Sequence, residues 1–132
     1  MKSFALESPT EAQRLAIFAA ADKLQIRVYR PTRESVAPRE FPHLTLDLDT
    51  TGNNISGTYA DPDDDRYNWL HFGEYLTEMC AYAGGKRDVK VRLNGQYEAV
   101  ITKDGVKVGC QVFPYEVIHS LNKELVNYRE DI

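Results

Sequence analysis

The chain is poor in cysteine, in long apolar runs and in basic charge, and each shortage narrows what it can be. Its two cysteines, Cys80 and Cys110, leave no room for a disulfide framework and form no CxxC pair. Both lie in apolar patterns, so two buried free thiols are expected. No apolar stretch approaches the ~20 residues that a membrane span requires. The start, MKSFALESPTEAQ, has no apolar core of a secretory signal, so a cytoplasmic protein is expected. In that setting Asn54-Ile55-Ser56 reads as a turn leading into a strand, not as a glycosylation site. No glycine-rich phosphate loop occurs, and Ser, His and Asp fall in no catalytic order. Lys and Arg number 16 against 20 Asp and Glu, so the basic surplus usual in nucleic-acid binders is also missing.

What the chain does hold is enough apolar material for one core. At 132 residues and 42% hydrophobic, a single domain spanning 1–132 can bury a core without metals or disulfides. The net charge of −4 is unevenly spread. Residues 1–39 sum to +3, residues 40–80 to −8, residues 84–107 to +3 and residues 108–132 to −2. The acidic middle contains the stretch DPDDDRYNWLHFGEYLTEMCAY, Asp61 to Tyr82, with the single tryptophan.

Periodicity predicts an α+β fold with antiparallel sheets and the order α-β-ββ-α-βββ-α. Ser8-Pro9-Thr10-Glu11 reads as a helix start, with Ser8 as cap, Pro9 at the first helical position and Glu11 closing a capping box. That helix runs to about Lys23 with Ala12, Leu15, Ala16 and Ala19 on one face. Gln25 to Arg30 alternates like a short strand, and residues 31–40 read as a loop. Phe41 to Asp49 alternates, with Leu44, Leu46 and Leu48 on one side and His43, Thr45, Asp47 and Asp49 on the other. TTGNN then turns the chain into a hairpin arm over 55–60.

A second helix capped by Asp65 or Asn68 is expected to run to about Ala83 and to end at Gly84-Gly85. Its apolar face would be Trp69, Phe72, Gly73, Leu76, Cys80 and Ala83. A three-strand meander follows, from Val89 through Asn94-Gly95 and Lys103-Asp104-Gly105 to Val112. Pro114 opens a last helix with Val117, Ile118, Leu121, Leu125 and Tyr128 inward.

Four constellations carry possible chemistry. In LTLDLDTTG, an apolar strand ends in Asp47-x-Asp49-x-Thr51. This resembles the first motif of the haloacid dehalogenase-like phosphatases. The resemblance covers these few residues and implies Asp47 as nucleophile, Asp49 as general acid/base and magnesium between them. It also implies a parallel sheet, a later lysine and a distant acidic pair. Asp63-Asp64 comes too soon to be that pair. Asp61, Asp63 and Asp65 alternate as in a calcium loop, but an EF-hand needs Gly and Glu where Arg66 and Phe72 stand. A solvated loop at the positive end of the next helix explains these acids without a metal. His71, Glu74 and Glu78 share helical spacing, which also suits a polar outer face. Finally, Lys86, Arg87, Lys90, Arg92 and Lys107 mark residues 86–107 as a basic meander that could hold nucleic acid or a small ligand.

The leading expectation is a non-enzymatic protein-binding module whose acidic surface meets a basic surface on another protein. The contact residues would be Asp61, Asp63, Asp64, Asp65, Tyr67, Glu74, Tyr75 and Glu78, with no catalytic residue, metal or cofactor. An inhibitor or nucleic-acid mimic, in the style of small acidic chains carried by phages and mobile elements, is its concrete form. A metal-dependent phosphohydrolase using Asp47 and Asp49, and a binder using the basic meander, are the alternatives.

Overall fold

A computed structural model describes residues 3–34, 42–93 and 97–115. The fold is α+β: two four-stranded sheets joined by one long helix. The observed order begins with a strand, β1 (Ser3–Leu6), followed by α1 (Glu11–Leu24) and a short α2 (Arg30–Glu34). Then come β2 (His43–Leu46), β3 (Ile55–Thr58), β4 (Tyr67–Leu70) and α3 (Phe72–Lys86). The meander β5 (Val89–Leu93), β6 (Tyr97–Thr102), β7 (Gly105–Val108) and β8 (Gln111–Phe113) completes the described chain. The hairpin tip at Asn94-Gly95 and the helix expected after Pro114, beyond Tyr115, lie outside the described residues. Among the described residues, no helix is long and apolar enough to cross a membrane.

Helix α1 starts two residues later than the sequence predicts. Thr10 is the cap: its hydroxyl accepts the Gln13 N–H at 3.1 Å, and the Gln13 side chain accepts the Thr10 N–H at 3.0 Å. Ser8 is instead turned into the left-handed region (φ 45°), and its N–H donates to Nδ1 of His43. The inward face is Ala16, Ile17, Ala20, Ala21 and Leu24, while Ala12 and Leu15 are exposed. The helix ends at Gln25 (φ 59°), whose N–H returns to the last turn. Gln25 to Arg30 therefore does not form a strand. Only Val28 bridges, in parallel, to Ile55, and the Arg27 carbonyl takes the N–H groups of Asn54 and Ile55. The predicted loop at 31–40 begins as α2, where the buried Thr32 hydroxyl accepts the Gly57 N–H at 3.0 Å.

The first sheet has the order β3-β2-β1-β4. The β2–β3 hairpin forms with Leu46 opposite Ile55, as the alternation and turn predict. Strand β1 lies at the centre, antiparallel to β2 and parallel to β4. Register puts Leu6, Leu44, Leu46 and Ile55 on one face, in a core shared with Ile17, Phe18 and Leu24 of α1. His43 and Thr45 point the other way yet are also buried, so β2 is covered on both sides and is not half solvated.

The largest departure from expectation is Tyr67 to Leu70. It is strand β4, not the first turn of a helix, and its Tyr and Trp suit that role. Helix α3 begins at Phe72 after His71, whose N–H is accepted by the Glu74 carboxylate at 2.8 Å. It continues through Gly84 and Gly85 to Lys86. Its buried face is Tyr75, Leu76, Met79, Cys80, Ala83 and Gly84. This face is wide because α3 packs on α1, on β1 and on β6 at once.

The meander has four strands, not three. Gly109 (φ 61°) turns the chain inside the expected third strand, so Gln111 to Phe113 pairs back on Val106 to Val108. Cys110 is consequently exposed at this turn, whereas Cys80 is buried as predicted. Val89, Ala99, Ile101 and Val106 join the residues of the first sheet in one core. Burial of each Val and Ile among them contributes roughly 1.5–3 kcal/mol.

Candidate functional site

The acidic stretch is a crossing connection. Strands β3 and β4 are the two edges of the first sheet and both run parallel to β1. Residues 59–66 must therefore pass over β2 and β1, a span of three inter-strand gaps or about 14 Å. Register sets Trp69 on the same sheet face as Ala5 and Thr45, opposite the helices. Its Nε1–H donates to the Asp64 carbonyl at 3.1 Å, and its ring meets the His43 ring edge-on at 5.3 Å. Trp69 thus fastens the connection to the sheet.

The connection is also tied to itself. The Asp61 carboxylate accepts the Asp63 N–H at 3.0 Å, and the Asp61 carbonyl accepts the Asp64 N–H at 2.8 Å. Asp64 accepts the Arg66 N–H and grips the Arg66 guanidinium through both oxygens, at 3.0 and 2.6 Å. These hydrogen bonds hold the Asp64 carboxyl below its ordinary range. Arg66 also lies over the Tyr67 ring, which packs edge-on against Trp69.

Asp64 is therefore an internal strut, although it belongs to the predicted contact set. Asp61, Asp63 and Asp65 are exposed and join no ion pair among the described residues. Tyr59, just before them, is 77% exposed. It was not singled out by the sequence, because it follows a strand in an alternating pattern and reads as part of it.

Asp61, Asp63, Asp64 and Asp65 lie on the connection, Tyr67 opens β4 beside them, and Glu74 and Glu78 are half-buried on α3. Tyr75 does not belong to this surface. It is fully buried, and its hydroxyl donates to the Thr45 carbonyl at 2.8 Å. As an aromatic beside the acidic residues it reads as a surface anchor, but α3 is enclosed on more sides than an outer helix. His71 lies before the helix, and Glu74 is engaged as its cap partner, so His71, Glu74 and Glu78 do not form a common helical face.

Burial, with Glu74 as a lesser cause, pushes the Glu78 carboxyl above its usual value. The folded state therefore favours the protonated form. The resulting stability is present at acidic pH and is lost as pH rises through the raised value. Glu78→Gln should raise the melting temperature at neutral pH, and the gain should vanish in acid. A melting series across pH for both proteins checks this.

Asp47 and Asp49 open the β2–β3 turn, where the Asp47 carboxylate accepts the Asp49 N–H at 3.2 Å. Strand β2 is antiparallel to both neighbours, unlike the parallel sheet that the phosphatase resemblance implies. Among the described residues, no three His, Cys, Asp or Glu side chains come together as a metal-binding group. Burial pushes the Cys80 thiol up to about 12, which keeps it in the unreactive thiol form. No family model matches the chain, and no curated protein or solved structure shows significant similarity to it.

Proposed function

We propose that this protein is a non-enzymatic binding module whose acidic connection docks on a basic surface of another protein. The observation that carries the reading is the state of Asp61, Asp63 and Asp65. They are three exposed carboxylates outside any described ion pair, on a backbone already held by Asp64, Arg66 and Trp69. A held loop loses little entropy on binding, and exposed surplus negative charge steers a cationic partner into place. Tyr59 supplies an exposed aromatic anchor beside that charge. Basic surfaces of proteins are often their nucleic-acid grooves. A cytoplasmic inhibitor that imitates nucleic acid, of the kind carried by phages or mobile elements, is the form of the proposal that best fits these parts.

The test is the triple variant Asp61→Asn/Asp63→Asn/Asp65→Asn, which leaves the Asp64 strut intact. It should melt as the parent does, because an amide oxygen at position 61 still accepts the N–H of residue 63 and the other two side chains are solvated. A partner captured by the parent should be lost or bound about 100-fold more weakly, and added nucleic acid should compete with the parent for that partner. Retention of the partner at parental affinity by the triple variant would overturn the proposal.

A further inference from the structure

The far end of α3 carries the opposite charge. A hollow of about 350 Å³ lies between the end of α1, the β2–β3 turn and the last turns of α3. Arg27, Lys86 and Arg87 line it together with Thr50, Thr51 and Tyr82, and no acidic residue is among its described lining. A second hollow of about 700 Å³ shares Lys86 and Arg87 and adds Lys103 and Lys107, with Asp88 and Asp104. The shared residues make the two hollows adjoin.

The three cations of the smaller hollow are held by neutral groups. Arg27 donates from Nη1 to the Thr51 carbonyl at 3.0 Å, and Arg87 donates from Nη2 to the Leu24 carbonyl at 2.8 Å. The Lys86 ammonium stands 4.8 Å from the centre of the Tyr82 ring. None of the three joins an ion pair among the described residues. Carbonyl partners fix the direction of a guanidinium without cancelling its charge, and they leave its remaining N–H groups to donate elsewhere. The negative end of α3 accounts for favourable placement of Lys86 and Arg87, at about half an elementary charge. It does not account for Arg27, which arrives from a different element, nor for a total of three positive charges in a chain whose net charge is −4.

We infer that this hollow binds a phosphate group of a small phosphorylated molecule, with the remainder of that molecule extending into the larger hollow. Planar guanidinium forks and an ammonium are the donors that phosphate oxygens accept best. The Thr50 and Thr51 residues of the hairpin turn add hydroxyl-bearing lining, and the Tyr82 ring forms a flat wall. Helix α3, 15 residues or about 22 Å long, separates this hollow from the start of α3 beside the acidic connection. The inference therefore stands on residues independent of the proposed docking loop.

The experiment is calorimetric titration of the full chain with inorganic tripolyphosphate at low salt. Saturable binding is expected, weakening about tenfold in Lys86→Gln and again in Arg27→Gln, and weakening as salt is raised. Lys86→Gln removes no described hydrogen bond, so its fold is secure even where Arg27→Gln loosens the turn at Thr51. Lys90→Gln, an exposed cation outside both hollows, should bind as the parent does. A parallel arm uses a single-stranded oligonucleotide of about ten nucleotides. Oligonucleotide binding weaker than that of tripolyphosphate supports the small-molecule source. Tighter binding that Lys86→Gln also weakens keeps the phosphate site but overturns the small-molecule source. No binding of tripolyphosphate at millimolar concentration, or binding that Lys86→Gln leaves unchanged, overturns the inference.

Discussion

Gly84→Ala should destabilise the protein by about 2–3 kcal/mol, while Gly85→Ala, one position later, should stabilise it by about 0.5–1 kcal/mol. Both glycines lie inside α3, where alanine is intrinsically the better helix former. Their surroundings differ. A methyl group on Gly84 would stand 2.5 Å from the Thr102 carbonyl oxygen of β6 and would also press on the Tyr115 hydroxyl. The Thr102 carbonyl is backbone and has no rotamer to escape into, so helix and sheet must separate. A methyl group on Gly85 meets nothing within 4 Å. Denaturant midpoints for the two variants, taken together, report whether α3 rests directly on the meander. Equal stabilisation by both would mean that it does not. The same contact lies beside the larger hollow that Lys86, Arg87, Lys103 and Lys107 line, so it also governs the shape of that hollow.

Tyr75 should show a graded loss. Tyr75→Phe keeps the ring but removes the hydroxyl that bonds the Thr45 carbonyl, at a cost of about 1–2 kcal/mol. Tyr75→Ala also opens a cavity between α3 and the first sheet and should cost about 3–5 kcal/mol. Burial holds the Tyr75 hydroxyl well above its ordinary value, so it remains a donor across neutral and mildly alkaline pH. The Tyr75→Phe deficit should accordingly be flat with pH over that range, in contrast to the pH-dependent effect of Glu78→Gln. Urea unfolding at several pH values separates the two. A Tyr75→Phe variant as stable as the parent would show that the hydroxyl bond adds nothing.

Much of the fold was legible because its signals are local. Alternating Leu44 and Leu46 followed by a TTGNN turn specifies a hairpin within about a dozen residues. Val89 and Ile101 pair as the meander pattern requires. The acidic charge of Asp61 to Asp65 is read directly from composition. The structure departs from the sequence pattern where that pattern fits two local structures. Trp69 and Phe72 have helical spacing, yet Trp69 belongs to β4, because pairing with β1 outweighs periodicity over so short a run. Ser8 reads as the cap, but its N–H bond to His43, 35 residues away, holds it outside the helix and leaves the cap to Thr10. Strand β1 has only four residues and no alternation to show, although it is central to its sheet.

The sequence by itself determined an α+β chain with a hairpin, a meander, two principal helices and an acidic middle. These follow from side-chain period, turn residues and charge, all of which act over a few neighbouring residues. Only the tertiary structure decided that Tyr75 faces inward, that Asp64 is a strut while Asp61, Asp63 and Asp65 face solvent, and that Arg27 lines one hollow with Lys86 and Arg87. Those outcomes depend on which strands lie side by side and on which end of a helix meets which turn. Backbone pairing and burial between segments distant in the chain set them, and no local pattern carries that information.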